Sequence, residues 1–299
     1  MRISRIARFI IAAGTVFLAG SPASHGQIES GTPRVTFLPG RPALLPLPAA
    51  DQEPRAGLSK EVGTSRIVLT IGSAFDLVEF RPNGDSLAML RAGADFFTYA
   101  LSVSLAGHRL QIDAVDGFFG GHLLYMFPLG STNAFLRLRV LHRSAHFVDG
   151  HFDSGTNSWR GGREPVPFTK DFGELLGAVA WRTSSLHVMA YSALSYSTLI
   201  RPVDIRRISS FHGLEIHSGE WCGHVLGKPF ILFAAYHLSL DGIPRYVGTN
   251  TLAGGMKFGE WSGAGVEFIV RHRSGLDIFG QYYNVRLSSW EIGFLFDLW

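Results

Sequence analysis

Ala134-Phe135-Leu136-Arg137-Leu138-Arg139-Val140-Leu141-His142-Arg143-Ser144 alternates residue by residue. Side chains on a β-strand point to opposite faces in turn. One face therefore takes Arg137, Arg139 and Arg143, and the other takes the apolar row Leu136, Leu138 and Val140, continued by His142 and Ser144. In a water-soluble sandwich the apolar row is core and the arginines are solvated. In a membrane barrel the sense is reversed, with the apolar row toward lipid and the arginines in the lumen. One strand does not choose between them.

The same pattern recurs along the chain. Arg109, Gln111 and Asp113 alternate with Leu110, Ile112 and Ala114. Glu174, Leu176 and Ala178 alternate with Leu175, Gly177, Val179 and Trp181. Glu267, Ile269, Arg271 and Arg273 alternate with Val266, Phe268, Val270 and His272. Ten strands are expected at about 87–103, 107–119, 133–145, 171–183, 185–198, 207–218, 227–239, 248–258, 262–273 and 288–299, with a further one at 66–79. The gaps at 146–170 and 274–287 read as extracellular loops, and Asp241-Gly242 as a turn.

Composition favours the membrane sense. Only 17% of the 299 residues are charged, against 46% hydrophobic, with a mean hydropathy of +0.16; soluble domains average about 25% charged. No segment offers the roughly 20 uninterrupted apolar residues of a spanning helix. Membrane residence without such helices leaves the closed barrel, because an open sheet edge strands backbone polar groups in lipid. The expectation is an all-β fold, an antiparallel transmembrane β-barrel of 10 to 12 strands.

The ends divide the chain into three. Arg2, Arg5 and Arg8 precede the apolar run Phe9–Gly20 and a set of small residues, so 1–26 reads as a signal peptide cut after Ala23 or Gly26. Residues 27–60 carry Pro33, Pro39, Pro42, Pro46, Pro48 and Pro54 and read as a periplasmic arm. Residues 61–299 are the barrel. The expected location is the outer membrane of a Gram-negative bacterium, with membrane lipid as neighbour and the barrel-assembly machinery as partner during insertion. A last strand reaching Trp299 suits such insertion, although Trp299 shares the phase of Glu291 and Asp297 rather than that of the apolar row.

Several classes are excluded. Twenty-seven basic against 24 acidic residues, a net charge of +3, is too balanced for nucleic acid. Cys222 is alone, so no internal disulfide or thiolate metal cluster forms. No phosphate loop, redox cysteine pair or dinucleotide fingerprint is present, and no cofactor is expected. His142 and His146 share a face, but four strand residues span about 13 Å, too far for one metal ion. Glu215, His217 and Glu220, near Cys222 and His224, read as a luminal polar patch.

The run from Phe135 to His146 resembles a motif of a bacterial family of unknown function, the one numbered 1207. That family has an arginine-bearing strand leading into His-x-Ser-Ser-His and then Gly-Asp-Glu. Phe279-Gly280-Gln281-Tyr282-Tyr283 and Gly293-Phe294-Leu295-Phe296-Asp297 are similar to its C-terminal pattern. The chain departs by Ala145 for the second serine and by Val148-Asp149-Gly150 for Gly-Asp-Glu. The resemblance spans residues 60–299 and implies an outer-membrane location without an assigned activity. His142-x-Ser144 is also similar to the dyad of outer-membrane phospholipase A and of the lipid A deacylase, which implies a site facing lipid near the outer rim.

The residues themselves make the same case. His142 and Ser144 fall on the predicted lipid face, where a histidine takes the proton of an attacking hydroxyl. Asp171 starts the next strand in the lipid-facing phase of Leu175 and Val179 and is the candidate to orient His142; Glu174 points into the lumen, and Asn157 lies in the loop. The plainer reading is that His142, Ser144 and His146 mark where the strand leaves the lipid. Inside, Arg109, Arg137, Arg139, Arg271 and Arg273 are expected to pair with Asp113, Glu174 and Glu267 as a network that plugs the lumen. Three functions follow: a structural or binding barrel of unassigned role, a serine acylhydrolase acting on membrane phospholipid or lipid A, and a small anion-preferring porin.

Overall fold

Sixteen strands order the chain: β1 (Arg34–Phe37), β2 (Ala56–Glu61), β3 (Arg66–Arg81), β4 (Met89–Leu105), β5 (Arg109–Leu129), β6 (Thr132–Phe147), the short β7 (Phe152–Asp153) and β8 (Ser158–Trp159), β9 (Phe168–Arg182), β10 (His187–Arg201), β11 (Ile208–His217), the short β12 (His224–Val225), β13 (Lys228–Ile243), β14 (Arg245–Gly259), β15 (Gly265–Leu276) and β16 (Arg286–Asp297). The structure is a computed structural model and describes residues 32–84, 86–105 and 109–298, with the backbone alone at Leu105, Arg109 and Asp149. The expected signal peptide and Trp299 lie outside the described residues.

Twelve of the strands close an antiparallel barrel. Each of β3, β4, β5, β6, β9, β10, β11, β13, β14, β15 and β16 pairs with the next, and β2 seals the ring between β16 and β3. Closure leaves no open edge in the ring, the condition for a sheet to sit in lipid. The strand expected at 66–79 is β3. The twelfth, β2, comes from the Pro-rich segment, so the barrel begins at Ala56 rather than at 61.

Outward side chains are apolar. Leu136, Leu138 and Val140 on β6, Leu175 on β9, Leu252 on β14 and Ile292, Phe294 and Phe296 on β16 are all exposed. Arg137, Arg139, Glu174, Glu267, Arg273 and Glu291 are buried in the interior. The membrane sense of the alternation is the one the fold adopts: a water-soluble barrel would not present that many large apolar side chains to water. Among the described residues no helix is long and apolar enough to cross a membrane.

At the end where β2 begins and β16 stops, the connections run from two residues between β5 and β6 to ten at 218–227, which carry β12. Gly130-Ser131 joins β5 to β6, with Gly130 at φ 61° in the left-handed region that suits glycine. The opposite end carries 148–167 and 277–285, the two loops expected from sequence. The turn from β13 to β14 falls at Pro244, because Asp241 and Gly242 still pair with Val247 and Tyr246. Register shifts mark three places. One lies at Asp113, where Ala114 pairs with Leu101 and Ile112 with Ser102. Asp113 and Ala114 are both buried as a result. The inward phase of β5 switches there from odd to even positions, so Ala114 is not the outward residue that simple alternation expects.

The Pro-rich segment does not hang free as an arm. β1 pairs with Val78–Arg81 of β3 and β2 with Ile67–Thr70, on the same side of that strand. Between them the chain leaves the wall and runs through the lumen. Leu47 and Ala50 pack with Leu124, Phe135, Leu176 and Tyr191, while Ala49 packs with Phe233, Ile269 and Leu295. Proline explains the route: Pro42, Pro46, Pro48 and Pro54 cannot donate to a ladder, which keeps this stretch out of the sheet and free to fill the interior.

Candidate functional site

The lumen is held shut by charge. Arg137 donates to both carboxylate oxygens of Glu53, at 2.6 and 3.0 Å, and Arg139 grips Glu174 through two bonds of 3.0 Å. Arg139 also donates to the Gln52 carbonyl at 3.2 Å. The Tyr99 hydroxyl donates to the Glu53 carbonyl at 2.5 Å and accepts from its amide at 3.1 Å. Glu53 itself is 1% exposed. Burial pushes its carboxyl upward, but the two guanidiniums and the bond from Arg137 prevail and hold it down at about 2.

Of the three carboxylates expected to pair with luminal arginines, only Glu174 does so among the described residues. Arg137 and Arg139 do meet Glu174. Arg273 pairs instead with Asp51 of the inner segment, and Arg271 approaches Glu291 at 3.8 Å. Glu267 lies 4.0 Å from Lys257, not against an arginine. Asp113 is taken by His151, at 2.7 Å, and by the Tyr282 hydroxyl. The side chain of Arg109 lies outside the described residues. For Arg137, Arg139 and Arg273 the difference has one cause: carboxylates from residues 51 and 53, expected from sequence in an arm outside the barrel, sit within reach of these arginines.

A second closure lies at the loop end. The amide of Gly280 donates to Asp116 at 2.9 Å, as does Arg143 Nε, and Arg143 reaches the Ile278 carbonyl at 2.6 Å. Gln281 donates to the Ala145 carbonyl at 2.7 Å. A Cβ on Gly280 would stand 2.6 Å from Ala145 and Phe168, so only glycine fits the loop this close to the wall. The Phe279-Gly280-Gln281-Tyr282-Tyr283 run thus packs over the mouth of the barrel.

On the outer surface the structure brings two of the three proposed catalytic residues together. His142 of β6 and Asp171 of β9 are direct cross-strand partners, and His142 Nδ1 lies 2.5 Å from Asp171 Oδ1. Their side chains are 32% and 42% exposed, so both face outward rather than into the lumen. Phe119 of β5 packs on the other side of the imidazole, its centroid 4.7 Å away. Phe96, Phe119, His142, Asp171 and Leu199 form one cross-strand row around the barrel. Ser144, paired with Thr169, is half-buried one step closer to the loops. Among the described residues no hydrogen bond joins Ser144 to His142. Glu174 faces the lumen, as its phase requires.

Sequence reasoning missed Asp51 and Glu53 as interior groups. Their signal was available: an acidic pair between Pro48 and Pro54, in a chain whose β6 turns Arg137, Arg139 and Arg143 to one face. His217, expected from sequence in a luminal patch with Glu215, stacks between His187, at 4.4 Å, and Trp261, at 4.2 Å.

These features define a class: a closed twelve-stranded membrane barrel with a filled lumen and a His–Asp pair on its outer wall. No family model matches the chain, and no curated protein matches it. Among solved structures it is similar to the β domain of the Bordetella autotransporter BrkA, at 14% identity and a TM-score of 0.45, over 81% of this chain and 97% of that one. OmpT of Vibrio cholerae, an outer-membrane protein, matches at 10% identity and a TM-score of 0.32, over 81% of this chain and 98% of OmpT. Its variant lacking loop L8 matches at 10% and 0.34, over 81% and 96%. Likeness at this level carries no function across.

Proposed function

We propose that this chain is an outer-membrane acylhydrolase, a sealed barrel whose chemistry takes place on its lipid-facing wall. The observation that carries the reading is the 2.5 Å contact between His142 Nδ1 and Asp171 Oδ1 on the outward face. An imidazole held through Nδ1 presents Nε2 to a nucleophile, the arrangement that serine hydrolysis requires. Ser144 is that nucleophile, in the same phase and on the same strand. The apolar row of β6 ends at Val140 and the polar outward residues begin at His142, which supports placing the pair at the boundary of hydrocarbon and headgroup, where acyl esters lie.

The reaction runs in two halves. The Ser144 hydroxyl attacks the ester carbonyl as His142 Nε2 takes its proton, with Asp171 stabilising the imidazolium. The C–O bond to the alcohol breaks, and His142 returns the proton to the departing oxygen, leaving acyl-Ser144. Water then attacks the acyl group with His142 again as base, releasing fatty acid and restoring the hydroxyl. A filled lumen supports work at the surface rather than conduction. Kinship with the family numbered 1207 rests on the motifs alone.

The test compares refolded protein with its Ser144→Ala variant on phospholipid and lipid A in mixed micelles, reading free fatty acid. Release by the wild-type chain and none by the variant is expected. An inert wild-type chain, or equal release by both, overturns the reading. In that case a structural or binding barrel remains, which the missing Ser144–His142 hydrogen bond favours.

A further inference from the structure

We propose that the loop end of the lumen is a binding pocket for a small zwitterion, a free amino acid or an ω-amino acid, held between Lys170 and Asp241. A cavity of about 110 Å³ lies there, with residues Ala50–Glu53 of the inner segment in its lining. One water needs roughly 10–15 Å³ by the same kind of measure, so the space admits a small organic molecule. Its rim includes Ile205, Ile243 and Tyr283, all half-buried, so the cavity reaches solvent at this end, while the filled lumen lies behind it.

The charges lining the cavity sort cleanly. Arg139 is taken by Glu174, Arg143 by Asp116, Asp51 by Arg273 and Asp277 by Arg66. Glu53 is held by Arg137, and His237 meets the Tyr191 hydroxyl at 3.1 Å. Two charged groups remain without a hydrogen bond or a contact ion pair among the described residues: Lys170 on β9 and Asp241 on β13, which attract one another across the cavity without touching. Lys170 is only 7% exposed, and its ammonium lies over the Phe172 ring at 5.0 Å. The Ser195 hydroxyl in the same lining is buried without a hydrogen-bond partner.

A buried ammonium is costly unless something pairs with it. A simple anion would satisfy Lys170 but meet Asp241 and Glu174; a simple cation would satisfy Asp241 but meet Lys170. A molecule with a carboxylate at one end and an ammonium at the other answers both. Phe172 and Phe211 supply apolar wall for its carbon chain, and Ser195 supplies a further hydrogen bond. This pocket lies inside the barrel and is separate from the outward His142–Asp171 pair, so the two proposals stand or fall independently.

The experiment uses the full chain in detergent micelles, with calorimetry and ligand-observed NMR. The probes are glycine, β-alanine, γ-aminobutyrate, 5-aminovalerate, L-leucine and L-phenylalanine, together with their N-acetyl and methyl-ester forms. At least one free amino acid is expected to bind in the millimolar range or tighter, and blocking either end should weaken it by roughly tenfold or more. Lys170→Gln and Asp241→Asn should each cost a similar factor, with Lys170→Arg restoring part of the affinity. Should a variant fail to fold, the blocked ligands decide on the wild-type chain alone. The proposal is overturned if no free amino acid binds, as when Lys170 and Asp241 close on each other in solution. It is equally overturned if the blocked forms bind as well, or if folded Lys170→Gln and Asp241→Asn bind unchanged.

Discussion

Arg137 Nη2 stands 2.6 Å from Glu53 Oε1, joining a strand in the barrel wall to a segment that precedes it by 84 residues. That pair, with Arg273 on Asp51, moors the inner segment in the lumen. Glu53→Ala leaves Arg137 with only its longer contact to Glu174, at 3.3 Å, and should loosen the mooring. In planar bilayers the wild-type chain is expected to stay closed and the variant to show brief openings. A wild-type chain that conducts steadily contradicts the filled lumen.

The same carboxylate sets a dependence on acid. Its folded value of about 2 lies below the ordinary 4.5. The stabilisation it brings is therefore complete above about pH 4.5 and is lost as pH falls toward 2. A shift of that size corresponds to about 3 kcal/mol. Denaturation followed from pH 6 to pH 2 should show this slope in the wild-type chain and a flatter one in Glu53→Gln.

Asp171→Asn keeps the shape of the outward pair and removes its charge. If Asp171 orients and stabilises the imidazolium of His142, ester hydrolysis should fall by about 10²-fold or more, while barrel stability stays nearly unchanged because the pair is exposed. Rates that match the wild type would remove Asp171 from the mechanism.

Asp116 anchors the loop over the barrel mouth through Arg143 and the Gly280 amide. Asp116→Asn breaks a buried ion pair and should cost about 3–5 kcal/mol. Limited proteolysis is expected to cut residues 277–285 in the variant well before the wild-type chain. Equal cleavage would show that the loop is held by other contacts.

Leu138 and Arg139 are neighbours on β6 that face opposite ways, one outward and one buried. Leu138→Arg places a guanidinium on the lipid side and should weaken folding into vesicles by about 2–4 kcal/mol if the site lies near the bilayer midplane. A neutral effect would mean that this wall does not contact hydrocarbon.

Much of this was legible in the chain itself. Alternation is a property of the pleat, local to a few residues, so Arg137, Arg139, Glu174 and Arg273 could be placed on one face and Leu136, Leu138 and Val140 on the other without any tertiary information. The meeting of His142 with Asp171 was also within reach, because both carry the outward phase and flank one loop. Phase arithmetic failed at Ala114, which the register shift turns inward together with Asp113.

The strand repeat, the sidedness of its charges and the two long loops could be read locally along the chain. The path of residues 47–55, and which carboxylate meets which arginine, arose only on folding. Pairs such as Arg273 with Asp51 join residues 222 positions apart. Strand alternation places a side chain on a face; it does not say which charge from elsewhere in the chain fills the space that face encloses. That choice is made when the ring closes and its inward guanidiniums, cut off from water, take the nearest carboxylates the lumen admits.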